Sequence, residues 1–130
     1  MDEKAKEDAH KTFEDIEGFI KENNYKLIDV DNNYALLEAK IAPSSMNPFG
    51  MGHGGFIFGL ADTACGVAAV AGGLKGITVD GSINYLHPAK GEYIRVEAKA
   101  LKAGKNISTF EASVYDDQGT LIAISIITTI

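Results

Sequence analysis

The sequence predicts an α+β protein, with one long antiparallel sheet, one buried helix early in the chain and an amphipathic helix ahead of both. Three observations carry this. The run from Gly54 to Leu74 holds a single charge, Asp62, and is otherwise small or apolar. From Lys75 onward apolar residues recur at every second position, the period of a half-buried strand. The turns between those strands are far shorter than the crossover of about a dozen residues that a parallel return needs, so neighbours run antiparallel. A chain of 130 residues, 45% apolar, is the size of one domain with a core of its own, spanning 1–130.

The elements follow in order. From Glu3 to about Asn23, Ala5, Ala9, Phe13, Ile16 and Ile20 fall on one helical face, with Lys, Glu and Asp around the rest. Asn23-Asn24 ends it, so the N-terminal helix takes residues 1–24 and the core begins at 25. Tyr25 to Asp31 and Tyr34 to Ile41 are two strands, and Asn32-Asn33 supplies the left-handed backbone a tight hairpin needs. Pro43 to Gly52 is a loop. Gly54 to Leu74, without a polar stripe, predicts a helix buried on all sides. Ile77, Val79, Gly81, Ile83 and Tyr85 then alternate with Thr78, Asp80, Ser82 and Asn84 in a strand. Three more strands follow at Tyr93–Leu101, Ile107–Tyr115 and Leu121–Ile130, with turn residues at 88–91, 103–106 and 116–119.

The apolar helix does not read as a membrane span. Asp62 falls near its middle, where a carboxylate costs about 2.5–3.5 kcal/mol on insertion. The run is rich in Gly and Ala, its flanks lack a basic cluster, and the strands that follow need its surface to cover one face.

Composition narrows the function. Twelve basic and eighteen acidic side chains give a net charge of -6, the wrong sign for a general nucleic-acid binder. Cys65 is the sole cysteine, which leaves no internal disulfide and no cysteine-based zinc site. An acidic start without an apolar stretch sets the expectation of no secretory signal and a cytoplasmic setting. Within the acidic total, residues 75–105 carry six bases (Lys75, Lys90, Arg95, Lys99, Lys102, Lys105) against Asp80, Glu92 and Glu97. That stretch reads either as a solvated strand face or as a site for an anionic ligand.

Gly50, Gly52 and Gly55 satisfy G-x-G-x-x-G, yet no strand leads directly into the loop and no alternating helices follow, so a dinucleotide-binding domain is rejected. The helix start still carries unpaired, partially positive amides. Gly54 and Gly55 would let a ligand oxygen approach them, an arrangement suited to an oxyanion, and Asn47 could add a side-chain donor. The loop alone favours the plainer reading, a turn that needs glycine for its backbone. Asp62 shifts this balance, because a mid-helix carboxylate in apolar surroundings needs a partner, a proton or a task as base or nucleophile. A structural Asp satisfied by a nearby hydroxyl stays open. Eight residues separate Gly54 from Asp62, about 12 Å along a helix. One helix therefore does not bring both to one carbonyl, and two copies related by a twofold axis would do so twice.

The stretch Asn47-Pro48-Phe49-Gly50-Met51-Gly52-His53-Gly54-Gly55, with Leu60-Ala61-Asp62-Thr63-Ala64 and Thr78-Val79-Asp80 running to Asn84-Tyr85-Leu86-His87-Pro88-Ala89, resembles the hot-dog fold acyl-CoA thioesterases of the phenylacetate-degradation type. The resemblance covers about residues 25 to 130. It implies a sheet wrapped around the long helix, and dimers or dimers of dimers with shared active sites. The reaction it implies is hydrolysis of an acyl-CoA to free acid and CoA, with no metal or redox cofactor. By the same resemblance Asp62 is the catalytic base or nucleophile and Gly54 the backbone donor to the thioester oxygen, with Asn47, His53 and Gly55 beside it. Thr78 helps to place water. Asp62 and Thr78 then face Gly54 and Asn47 of the partner subunit. Lys90, Arg95, Lys102 and Lys105 become candidates for the CoA phosphates.

Two other readings stay in view: a hot-dog enoyl-CoA hydratase or dehydratase using His53, and a non-catalytic acyl-CoA binding protein. His10, His53 and His87 lack metal-ligand spacing, and no G-x-S-x-G elbow occurs. Cys65, in apolar surroundings, reads as an inert core thiol. Phe49, Phe56, Phe58 and Tyr85 are either core or the lining of an aryl pocket.

Overall fold

A computed structural model describes residues 1–130. Helix α1 spans Glu3–Glu14 and a short α2 spans Phe19–Glu22. Strands β1 (Tyr25–Asp31) and β2 (Tyr34–Lys40) form the first hairpin, and a 3-10 turn covers Pro43–Ser45. The long helix α3 runs Gly54–Ala71, followed by β3 (Thr78–Tyr85), β4 (Tyr93–Lys102), β5 (Ser108–Asp116) and β6 (Leu121–Thr129).

The N-terminal segment is two helices rather than the one expected. Asp2 caps α1 by accepting from the Ala5 amide at 2.8 Å. The chain then breaks over Asp15–Gly18, where Gly18 takes φ +83°, a left-handed turn that glycine adopts freely. The break lets Phe13 bury while Ile16 and Ile20 pack on the core from a second direction. Within the hairpin, Asn33 holds φ +57° between the paired residues Asp31 and Tyr34.

All six strands join one antiparallel sheet in the order β1-β2-β4-β5-β6-β3, and α3 packs against every one of them. The connection from β3 to β4 is therefore no hairpin. Residues 86–92 carry the chain from an edge to the middle of the sheet, which their short length permits because the sheet curls around α3. Backbone bonds pin this crossing: the Gly52 amide donates to Ala89 (2.9 Å) and the Ile41 amide to Glu92 (2.8 Å).

The core is a cluster of 24 buried residues lying between α3 and the concave face of the sheet. Ala61, Ala64, Ala68 and Ala69 are wholly buried in it, small enough to admit the facing side chains of β2, β4 and β5 closely. The Tyr25 hydroxyl donates to the Phe56 carbonyl at 2.6 Å, tying β1 to the helix. Gly59 lies under that contact; a Cβ there would sit 2.6 Å from the Tyr25 oxygen and 2.8 Å from the Phe19 ring.

Burial on all sides, expected for this helix, does not hold within one chain. Gly55 and Val70 are exposed, and Gly59, Asp62 and Gly66 only half-buried, so one stripe of α3 stays open. The stripe falls between the two edge strands, β1 and β3, where the curled sheet does not close. Along it lies β3, exposed over nearly its whole length. By length and hydropathy α3 passes for a membrane span, yet its opposite face fills the sheet's concavity.

Candidate active site

Strand β3 runs beside the open stripe of α3 in the opposite direction. Its end, Tyr85, donates its hydroxyl to the Gly54 carbonyl at 2.7 Å, and its start, Thr78, donates to Asp62 Oδ1 at 2.5 Å. Strict alternation would turn Thr78 away from the helix, since Gly81, Ile83 and Tyr85 are the residues facing it. A β-bulge between Thr78 and Asp80 changes the phase: Val79 has no partner on β6, and Thr78 swings onto the helix side.

At the helix start the amides are not equivalent. His53 is the N-cap, and its Nδ1 accepts from the Gly55 amide at 2.8 Å. That bond places the His53 ring proton on Nε2 and removes Gly55 as a donor to any ligand. The Gly54 amide donates to nothing within the chain. Of the two glycines singled out from sequence, only Gly54 retains a free donor. Asn47 shapes the loop: its Oδ1 accepts from Phe49 (2.9 Å) and Met51 (3.1 Å), which leaves its Nδ2 group without a partner in the chain. A second anchor is the His53 amide, which donates to Ser45 at 2.8 Å.

Asp62 and Thr78 come together at the middle of the open stripe; Gly54, Gly55, His53 and Asn47 come together at its start. Their separation along α3 is about 12 Å. Asp62 and Thr78 also line two cavities at once. One is a shallow cleft of about 340 Å³ bounded by Gly55, Phe58, Gly81 and Ile127. The other is a cleft of about 620 Å³ beneath α1. The charge of Asp62 is felt nearby: burial first, then that charge, pushes the Cys65 thiol up to about 12 and raises Tyr25 in the same direction. Cys65 is thus the inert thiol expected from its neighbours.

Three of the four basic candidates fall on the side of one or the other of these groups. Lys90 follows Ala89, which packs on Gly52 of the loop. Lys102 pairs with Thr109, and Lys105 lies in the turn between β4 and β5, at the end of the sheet where Thr78, Thr129 and Ser108 line up. Arg95 faces outward on β4, 3.5 Å from Glu38 and stacked near the Tyr93 ring. Among the aromatic candidates, Phe56 is core, Phe49 is 82% exposed, and Phe58 alone lines the cleft at Asp62. Tyr85 proves to be an anchor of the helix start. Sequence reasoning missed that role, although an aromatic hydroxyl ending the strand that precedes the loop at 86–92 is a usable signal.

A sheet wrapped around one long helix is the hot-dog fold, and the open stripe of that helix carries an unpaired amide at its start and a carboxylate about 12 Å further along. A family model of the thioesterase superfamily matches residues 49–123, and the chain belongs to that superfamily. It is 30% identical over 101 residues to a candidate esterase of Archaeoglobus fulgidus, a stretch covering 77% of this chain and 66% of that protein. Against acyl-coenzyme A thioesterase PaaI of Escherichia coli, identity is 26% over 125 residues, 95% of this chain and 89% of the other. The solved structure of E. coli PaaI shares the fold with a TM-score of 0.86 at 23% identity, over 94% and 88% of the two chains. A hypothetical thioesterase from Streptococcus pneumoniae, solved with coenzyme A, aligns with a TM-score of 0.76 at 25% identity, over 81% and 83%.

Proposed function

We propose that the protein hydrolyses acyl-CoA thioesters at sites shared by two protomers, each site combining Asp62 and Thr78 of one chain with Gly54 and Asn47 of the partner subunit. The observation that carries this is the split site: a free Gly54 amide at the start of α3 and Asp62, paired with Thr78, near its middle, too far apart to meet at one carbonyl. The exposed edge of β3 supports the pairing. Ile77, Val79 and Leu86, each about half exposed, flank a free strand edge that a second β3 would cover. An isologous dimer would also bring Lys90 from one chain toward Lys102 and Lys105 of the other, which suits a polyanionic nucleotide arriving at each site.

In this reading the thioester oxygen accepts from the partner's Gly54 amide and Asn47 Nδ2. Thr78 has committed its only proton to Asp62 Oδ1, so its lone pairs are left to accept from a water. Asp62 Oδ2 takes the other proton of that water, the oxygen attacks the carbonyl carbon, and collapse of the tetrahedral intermediate breaks the C–S bond. The departing thiolate regains a proton as free CoA, and the acid leaves as a carboxylate. The steps use water, a carboxylate, a threonine hydroxyl, one backbone amide and one side-chain amide, and call for no metal or redox cofactor. Direct attack by Asp62 would instead form a mixed anhydride; label found in Asp62 after a single turnover in ¹⁸O-water establishes that route, because water that opens the anhydride at the Asp62 carboxyl carbon leaves its oxygen there.

The His53 ring has the Gly55 amide as its one partner and no carboxylate at either nitrogen, an arrangement that does not favour the hydratase reading. Thiol release from a panel of acyl-CoAs tests the proposal. Turnover that vanishes in Asp62→Asn supports it. Water addition to an enoyl-CoA without thiol release, or tight binding without any turnover, overturns it.

A further inference from the structure

The Asp62–Thr78 pair stands where two cavities meet, and the larger one leads away from the helix start and under α1. Its walls are Ala9, Thr12 and Phe13 of α1, Val30 of β1, and Val67 and Val70 of α3. Apart from Asp62 at its mouth, no Asp, Glu, Lys, Arg or His lines it. Its volume of about 620 Å³ compares with about 150 Å³ for a dry apolar cavity that holds one benzene ring. The roof is held in place by the burial of Phe13 and by Lys6, which reaches Asp29 and Asp31 of β1 at 3.8 and 3.9 Å.

We infer that this cleft receives the acyl arm of the thioester, and that the protein selects apolar, uncharged acyl groups larger than acetyl. The inference rests on the thioesterase reading above. With the carbonyl at Asp62, the small cleft toward Gly55 and Phe58 leaves room for the thioester sulfur and pantetheine, and the acyl chain extends the other way. Burying its methylenes is favourable. A carboxylate at the far end of a dicarboxylic acyl group would lose its water and meet no basic side chain, the one cation at the wall being the Met1 ammonium, already paired with Asp31 at 3.1 Å. The α1 helix thereby becomes the part of the chain that sets acyl length.

The test compares kcat/KM for acetyl-, butyryl-, hexanoyl-, decanoyl-, phenylacetyl- and succinyl-CoA in wild type and in Ala9→Trp and Thr12→Trp. Both substitutions lie on α1 and fill the cleft from its roof; melting temperatures confirm folding. Expected is a rise of about fourfold per added CH₂ until the cleft is full, with succinyl-CoA at or below acetyl-CoA. The tryptophan variants should lower the decanoyl-CoA to butyryl-CoA ratio of kcat/KM tenfold or more. Hydrolysis that favours acetyl- or succinyl-CoA overturns the inference and leaves the thioesterase reading intact. So does a chain-length profile that neither tryptophan moves, or a variant that changes only the oligomeric state. Absence of thiol release from every substrate overturns both.

Discussion

Thr78 reaches Asp62 because Val79 is one residue too many for its sheet partner, and the resulting bulge turns the threonine hydroxyl toward the helix carboxylate at 2.5 Å. A regular strand would present Val79 there. The extra residue fixes the orientation of the one carboxylate on the open stripe of α3, and it leaves the hydroxyl with acceptor capacity for a water.

If Asp62 is the base and Thr78 holds its water, the two variants should differ in kind. Asp62→Asn should lower kcat by about 10²–10⁴, the range of a lost general base. Thr78→Val should lower kcat by about tenfold with KM little changed, and Thr78→Ser should recover most of it. Steady-state kinetics on a single acyl-CoA reads all three. A Thr78→Val enzyme as fast as wild type would remove Thr78 from the reaction.

Tyr85 holds the helix start through the Gly54 carbonyl, at 2.7 Å and partly exposed. Tyr85→Phe should cost about 0.5–1.5 kcal/mol in unfolding free energy, the net value of one hydrogen bond. It should also lower kcat, because the free Gly54 amide belongs to the residue whose carbonyl is released. Denaturant melts and initial rates check the two effects separately.

Gly59 shows why a small residue recurs on α3. The Tyr25 oxygen is fixed by its bond to Phe56 and cannot retreat from a methyl group built 2.6 Å away. Gly59→Ala should destabilise the fold by about 1–3 kcal/mol, as overpacking does. An unchanged denaturation midpoint would mean that β1 moves freely on α3.

Two ionisable groups, Cys65 in the core and the half-buried Tyr34 on β2, predict an alkaline limit. Burial and the Asp62 charge push Cys65 up to about 12, and burial with the Glu97 hydrogen bond pushes Tyr34 up to about 12. In the unfolded chain these groups ionise near about 8.5 and 10. Raised native values favour the neutral forms, so their contribution is complete below the unfolded pKa of each group. It is lost as pH rises from there toward 12. Melting temperature should therefore fall steadily above about pH 9. At pH 8 a thiol reagent should label Cys65 only as fast as the protein unfolds; labelling at the rate of a free thiol would contradict its burial.

Strand and helix limits were legible in the sequence to within a few residues, since the period-two runs after Lys75 and the apolar run after His53, with its single charge, each report a local constraint. What stayed hidden was set by distant contacts. The crossing of residues 86–92 depends on the curl of the sheet, which brings Ala89 beside Gly52. The bulge at Val79 is invisible in an alternating pattern, because every residue still alternates in type. The open stripe on α3 escaped an apolar count, as Gly55, Gly59 and Gly66 look the same buried or bare. In the loop, Gly54 and Gly55 read alike until the His53 ring nitrogen took one amide and left the other. The cleft under α1 depends on the break at Gly18, which the helical spacing of Ile16 and Ile20 conceals.

The shared site is the central claim, and subunit mixing tests it most directly. Asp62→Asn removes the base, and Gly54→Pro removes the amide at the first helical position, where proline suits the backbone and its Cβ would lie 3.1 Å from the Tyr85 hydroxyl. Each variant alone should be inactive, with folding confirmed by its melting temperature. When the two are unfolded together and refolded as an equal mixture, half of the dimers should be mixed. Each mixed dimer should hold one site with Asp62 and Gly54 both intact, restoring about a quarter of wild-type thiol release. A mixture no more active than its components would contradict the shared site.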